Sequence, residues 1–432
     1  MAEARVGSRV GFFGLLAVGL AVLAGGPAGR ADDKKPAKAD EALRAELLKL
    51  NTVTGEDAQT ARLRALVKDR AKGKTSVAEA AAMLREAKGD PPFNLNASLI
   101  LGRAAILLRD YDSAEAIYNQ AVEASTKLKS GAKMAQSYIG LSAAYFGAKK
   151  YAAAADVCEK VLELKDAPAE LENAWPLFLE RQVRARTLAG QSDEALKVVE
   201  GLTQLPNEGW RFLDLKAWVL HQSGKTDAAI KTYNELLDKI DSAKGLKEEE
   251  RDAEKELVRH SLSNLYIEAG DADKAIKELE ILLKKHPDNA TYKNDLGFVW
   301  ADLGMKLDEA EKLIREALDM DRKAQEKLKA EGKIDEVRDN AAYVDSLGWV
   351  LFRKKKYDEA LKLLKEAAED DDGQHIEIWD HLADCQLALG QKKEAITTWE
   401  KALKLDDLSK RDAERRRKIT EKLKKTRAEL KQ

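Results

Sequence analysis

The chain has 432 residues, of which 44% are hydrophobic and 35% charged, and its formal net charge is −2. That is too much charge for one large globular core, and too little net charge for a molecule that holds nucleic acid through its overall field. The composition suits an elongated array of helices that each keep one wet face, built from the good helix formers Ala, Leu, Lys and Glu.

The N-terminus has the pattern of a secretory signal peptide, assigned to residues 1–31. Arg5 and Arg9 precede an apolar and glycine run from Val10 to Ala24, and small residues follow with cleavage expected after Ala28 or Ala31. The run is short for a membrane span, which needs roughly 20 residues, so cleavage is expected, with a retained anchor as the alternative. Export implies an oxidising destination, yet only Cys158 and Cys385 are present, far apart in sequence. They are expected to be two small buried hydrophobes rather than a disulfide. Residues 32–56 read as a linker with little to bury. Residues 57–92 read as a helical pair broken at Gly73 and ended by Asp90-Pro91-Pro92.

From Phe93 the chain repeats. Ala114, Ala154, Ala195, Ala229, Ala275, Ala310, Ala360 and Ala395 each open an amphipathic second helix. Twelve residues earlier (thirteen in the sixth repeat) stand Gly102, Ser142, Val183, Ala217, Ser263, Gly297, Gly348 and Ala383, nearly all small. Four residues later stand Tyr118, Cys158, Val199, Tyr233, Leu279, Ile314, Leu364 and Trp399, and the position seven later is also apolar throughout. Glycines mark the turns at 190, 224, 270, 304 and 390. The spacing predicts helical hairpins in which the small residue, with the alanine opposite, lets two helices approach, while the later positions fill the gap to the next hairpin. A hairpin of this kind cannot bury its apolar face alone and must stack. The charged stretches Lys247–Lys255 and Arg322–Arg338 lengthen two repeats, as longer helices or as mobile insertions.

This pattern resembles the tetratricopeptide repeat (TPR). Trp379-x-x-Leu382-Ala383 followed by Ala395-x-x-x-Trp399 is a close copy of its motif, and Leu262-Ser263-x-x-Tyr266, Ala275-x-x-x-Leu279 and Pro287 match most of it. The resemblance implies an all-α fold, a right-handed superhelical solenoid of helix–turn–helix repeats, with about eight repeats over residues 93–408. Residues 294–406 are similar to exported bacterial TPR proteins, which implies an envelope-associated role in the periplasm. Residues 409–432 carry eleven Lys/Arg against four Asp/Glu. They read as a basic C-terminal capping helix or, alternatively, as a patch for an anionic partner.

No catalytic motif is found. The five histidines form no His-Glu-x-x-His pair, and no phosphate loop or nucleophile elbow occurs. Asp380 and Asp384 flank His381 and read as a solvated polar face. No cofactor or metal is expected, and the chain is read as a non-enzyme. In TPR proteins the first helices line a concave groove, and the position after the small residue faces it: here Arg103, Ala143, Arg184, Trp218, Asn264, Phe298, Trp349 and Asp384. Trp218, Phe298 and Trp349, with His221, Asn264, Asn294, Asp345, Arg353 and Asp380, are the candidate partner-binding residues. The alternative is that these aromatics pack between neighbouring hairpins. The carboxylate clamp of chaperone-tail TPR domains is rejected, because His260 stands where its lysine belongs. The expected partner is a protein or peptide and not nucleic acid, with peripheral membrane association left open and the oligomeric state unknown. The expected function is a scaffold or adaptor in the bacterial cell envelope. The alternatives are an outer-membrane or secretion assembly factor, or an accessory subunit of an enzyme.

Overall fold

The computed structural model describes residues 40–430 except 206–208, 244, 333, 335 and 406–409. The signal segment and residues 32–39 of the linker lie outside the described residues. From Asp40 onward the linker expectation is corrected. Asp40 caps α1 (Glu41–Leu48) by accepting from the Leu43 N–H at 3.1 Å, and a 3-10 turn follows at Lys49–Thr52. Leu47 and Leu50 are buried, and Asn51 exchanges bonds with Asn94 and the Pro92 carbonyl at 2.8 Å each. These residues, with Arg44 paired to Glu79 and Glu86 at 2.5 and 2.8 Å, dock a segment whose composition reads as tether. The break in the following pair, α2 (Glu56–Lys68) and α3 (Arg70–Glu86), falls at Asp69 and not at Gly73. Asp69 caps α3 through the Lys72 N–H at 3.1 Å, and Gly73 is buried inside that helix. A Cβ there would lie 2.3 Å from the Leu66 carbonyl oxygen, so this glycine serves close approach between helices.

Eight hairpins follow. They are α4 (Leu95–Leu107) with α5 (Tyr111–Lys127), α6 (Gly131–Gly147) with α7 (Tyr151–Leu162), and, after the short α8 (Ala169–Glu172), α9 (Trp175–Leu188) with α10 (Ser192–Thr203). Next come α11 (Leu213–Gln222) with α12 (Thr226–Ser242), α13 (Glu248–Glu268) with α14 (Ala272–Lys285), and α15 (Ala290–Leu303) with α16 (Leu307–Ala330). The last are α17 (Ala341–Arg353) with α18 (Tyr357–Glu369) and α19 (Ile376–Ala388) with α20 (Lys392–Ala402), and α21 (Lys410–Glu429) ends the chain. The described residues hold no strand and divide into two compact units between Val219 and Leu220.

The repeated positions are the core. All eight second-helix alanines are 0% exposed, and so are Ser142, Val183, Ala217, Ser263 and Ala383 at the small position. The positions four and seven later are buried in every hairpin. The close contact differs from expectation in one respect. The small residue faces the side chain four positions after the alanine: a Cβ on Gly102 would lie 2.8 Å from the Tyr118 ring, and one on Gly348 2.7 Å from Leu364. Cys158 and Cys385 are buried and free, and burial pushes each thiol up to about 12.

The charged stretches lengthen helices, the first from Glu248 onward and the second as far as Ala330, after which the described residues up to Asn340 return without helix. α13 begins inside the first, and its Arg251 caps the C-terminus of α12 by donating to the Asp241 and Ala243 carbonyls at 2.7 and 3.1 Å. α16 runs on to Ala330, and the returning chain is held to it by a reciprocal pair of bonds between the Gln325 amide and the Arg338 backbone, 2.7 and 3.0 Å.

Every hairpin turns through a left-handed residue just after its first helix, and the α15–α16 turn adds a second at Lys306. Gly190, Gly224, Gly270, Gly304 and Gly390 have φ between 70° and 82°, and Arg109, Lys149 and Lys355 occupy the same place at 57°, 57° and 62°. In each case the next N–H returns to a carbonyl one turn back, as from Asp110 to Ala105 at 2.9 Å and from Lys356 to Leu351 at 2.9 Å. A side chain in this conformation costs roughly 1–2 kcal/mol, partly offset by the chain entropy a glycine loses on folding. Arg109→Gly and Lys355→Gly should therefore each stabilise the protein by about 0.5–1 kcal/mol in urea unfolding, and Gly270→Ala should weaken it by a similar amount. A loss of stability in both glycine variants would contradict the turn assignment.

Candidate binding surface

The first helices carry the candidate residues, and the two units differ. In the first unit Arg103 is exposed, and Ala143, Arg184 and Trp218 are half-buried. Arg184 donates to Glu180 at 2.9 Å, and its guanidinium lies 4.6 Å from the centre of the Trp218 ring. Beside it, Arg181 reaches back to α6 and donates to the Ile139 carbonyl at 2.8 Å and the Ser142 hydroxyl at 2.5 Å. Burial pushes its pKa down.

In the second unit Asn264 is exposed and Phe298 and Arg353 are half-buried, whereas Asn294, Asp345, Trp349 and Asp380 are buried. Trp349 is stacked between His381 and Phe352, with ring centres 4.0 and 4.9 Å away, and its indole N–H donates to Asp302 at 3.3 Å. Arg353 donates to the Asp302 carbonyl at 2.5 Å. Phe298 lies 6.1 Å from the His381 ring. The structure thus brings Phe298, Asp345, Trp349 and Arg353 into one cluster, with Asp380 in the next layer, and turns most of their surface inward. Trp349 packs between hairpins, and so cannot act as an exposed anchor. Asn294 donates to Asp295 at 3.3 Å, and its own Oδ1 is buried without a partner.

The solvated-face reading of Asp380, His381 and Asp384 is corrected. His381 is 1% exposed, and its Nδ1 lies 3.0 and 3.1 Å from the two Asp345 carboxylate oxygens. Asp380 accepts from the Trp399 indole at 2.9 Å, from Arg415 at 3.2 Å and from Lys422 at 2.9 Å. Asp384 takes two bonds from Lys422, 2.8 and 2.6 Å. Burial and the neighbouring Asp380 charge raise Asp384, and Lys422 opposes them. The cause is α21. Its Ile419 and Leu423 pack on Trp399 and Ala402, and Arg416 donates to the Leu403 and Leu405 carbonyls, so the basic run covers the last hairpin. Lys418, Lys424 and Lys425 stay exposed.

Each histidine stands against a carboxylate on another helix. His221 Nε2 is 2.6 Å from Glu268, His260 Nε2 2.8 Å from Asp295, and His375 Nε2 3.4 Å from Asp412. His286 Nε2 is 2.8 Å from Glu256, without the alignment of a hydrogen bond. A common register appears. His260 is three positions before its small residue and Asp295 two positions before the next one; Asp345 and His381 repeat that placement. Sequence reasoning missed it because the pairing joins residues 35 and 36 apart. The signal was present as ionisable residues at fixed offsets from the small position. Among the described residues no group of three His, Cys, Asp or Glu could hold a metal ion, and no helix is long and apolar enough to cross a membrane.

Burial pushes the His381 pKa down, but the Asp345 charge and hydrogen bond, with Glu377, outweigh it and hold it above the usual value. His375 is likewise raised, by Asp412 against burial. A raised histidine contributes stability that is fully present below the unfolded value of about 6.5 and is lost as pH rises through the folded value. The urea midpoint of wild type should therefore fall between pH 6 and pH 9, and by less in His381→Gln. The variant also leaves Asp345 buried without its cation, at a cost of about 3 kcal/mol. An unchanged pH slope in His381→Gln would contradict the charged pair.

The tetratricopeptide repeat family model matches residues 69–129 and 260–326, and the model for anaphase-promoting complex, cyclosome, subunit 3 matches residues 305–402. Among solved structures the chain is similar to a tetratricopeptide repeat protein from Parabacteroides merdae, at 14% identity and TM-score 0.45, over 66% of this chain and 97% of that one. It is also similar to the MamA protein, at 16% identity and TM-score 0.30, over 45% of this chain and 91% of that one. A second MamA chain, MSR-1 C2, gives 19% identity and TM-score 0.29, over 45% and 95%. No curated protein matches the chain. The repeat model lies on hairpins of both units, and the small, alanine and apolar layers are buried in all eight: the chain carries tetratricopeptide repeats in both units.

Proposed function

We propose that this protein is a non-catalytic scaffold or adaptor of the bacterial cell envelope that holds a partner protein or peptide on first-helix faces of its units. Proteins built of this repeat generally mediate protein–protein interactions. One observation carries the reading to this chain. The small, alanine and apolar positions of the hairpins are consumed in the core, while the position after the small residue keeps exposed surface in seven hairpins and is buried only at Trp349. The histidines and most buried carboxylates join one helix to another, in keeping with a structural role. The Arg5, Arg9 and Val10–Ala24 segment supports export.

Two measurements test the proposal. N-terminal sequencing of the protein recovered from the envelope fraction should begin at Gly29 or Asp32; a cytoplasmic protein beginning at Met1 or Ala2 would remove the envelope role. Crosslinking in intact cells followed by mass spectrometry should recover a discrete partner protein. Recovery of none, together with turnover of a substrate by the purified chain, would replace the scaffold reading with an enzymatic one.

A further inference from the structure

The two positions that pair histidine with carboxylate at two junctions of the second unit hold, at one junction of the first, a cation with no acid opposite it. At the junction of α13 with α15, the position three before the small residue and the position two before the next one hold His260 and Asp295. At the junction of α17 with α19 they hold Asp345 and His381. At the end of the second unit Asp380, again three before its small residue, meets Arg415 and Lys422 of α21. At the junction of α6 with α9 the same two positions hold Ile139 and Arg181. Arg181 spends Nη1 on a carbonyl and a hydroxyl, both neutral. The nearest acid in sequence, Glu180, is bonded to Arg184. This half-buried guanidinium is held only by neutral acceptors, and its five fixed donors are more than those two acceptors use. The surroundings match the same need. On α4, Arg103 and, one turn on, Leu107 are exposed; beside Arg181, Arg184 lies over the half-buried Trp218.

From this, and resting on the protein-binding reading above, we propose that the first-helix face of the first unit recognises an acidic, partly apolar segment of a partner protein, one carboxylate of which completes the Arg181 site. The guanidinium accepts a carboxylate through paired N–H donors, the geometry arginine favours. Arg103 supplies further positive charge, and Leu107 and Trp218 supply apolar contact.

The test uses the full chain and a fluorescein-labelled peptide of alternating Glu and Leu, with its Gln-and-Leu counterpart, in fluorescence anisotropy at low salt. The glutamate peptide should bind at least tenfold more tightly than the glutamine peptide. Ile139→Glu places an acid at the position opposite Arg181 and should weaken glutamate-peptide binding at least tenfold, whereas Ile139→Gln, of nearly the same shape as the glutamate, should leave it within about twofold. Arg103→Glu, at an exposed position, should weaken it severalfold with unchanged helicity. Equal affinity for the two peptides, or equal behaviour of Ile139→Glu and Ile139→Gln, overturns the proposal. In cells, a partner that crosslinks equally well to wild type and Ile139→Glu overturns it too while the scaffold reading stands; that reading fails only if wild type itself captures nothing.

Discussion

Each hairpin rests on one close contact, a first-helix residue too small to hold the helices apart, pressed by an apolar side chain sixteen or seventeen residues later. Where the small residue is glycine, even a methyl group would collide with Tyr118 or Leu364. This spacing lets the second-helix alanine disappear from solvent in all eight hairpins. It also fixes which side of the first helix faces the neighbouring hairpin, and therefore which residues are left to meet a partner. The left-handed turn is the second constraint, since it reverses the chain within two residues of the helix end.

Apolar layers alone give successive hairpins little lateral specificity, because one alanine layer resembles another. Polar bridges between first helices supply it in the second unit, at His221–Glu268, His260–Asp295, Trp349–Asp302 and His381–Asp345. Breaking a buried pair strands a charge, so a shifted register is penalised more than the pair stabilises the correct one. The same logic ends the array. α21 brings cations to Asp380 and Asp384 and apolar residues to Trp399, closing a face that another hairpin would otherwise cover.

The fold was legible in the sequence because its determinants are local. Offsets of twelve, four and seven residues fall within one hairpin, and glycine marks five of the turns. The other three turns carry Arg109, Lys149 and Lys355, whose left-handed backbone has no mark in composition. The docking of residues 41–52 was equally silent, since it depends on a few side chains: Leu47, Leu50 and Asn51, with Arg44 paired to Glu79 and Glu86 of α3. The candidate surface was only half legible. Trp218, Phe298 and Asn264 were read onto first helices and retain exposed surface there, but the same offset at Trp349 leads into a stack closed by His381. Whether a polar first-helix residue is solvated depends on what the adjacent hairpin sets against it, and that residue lies about one repeat away in sequence.

In the proposed function the first helices are the working surface and the second helices its support. A photoreactive amino acid placed singly at the exposed first-helix positions 103 and 264, and at the exposed second-helix positions 197 and 277, tests this directly in intact cells. The account predicts that crosslinks to a partner protein form from 103 or 264 and not from 197 or 277. Crosslinks confined to the second-helix positions, or equal from all four, would contradict it.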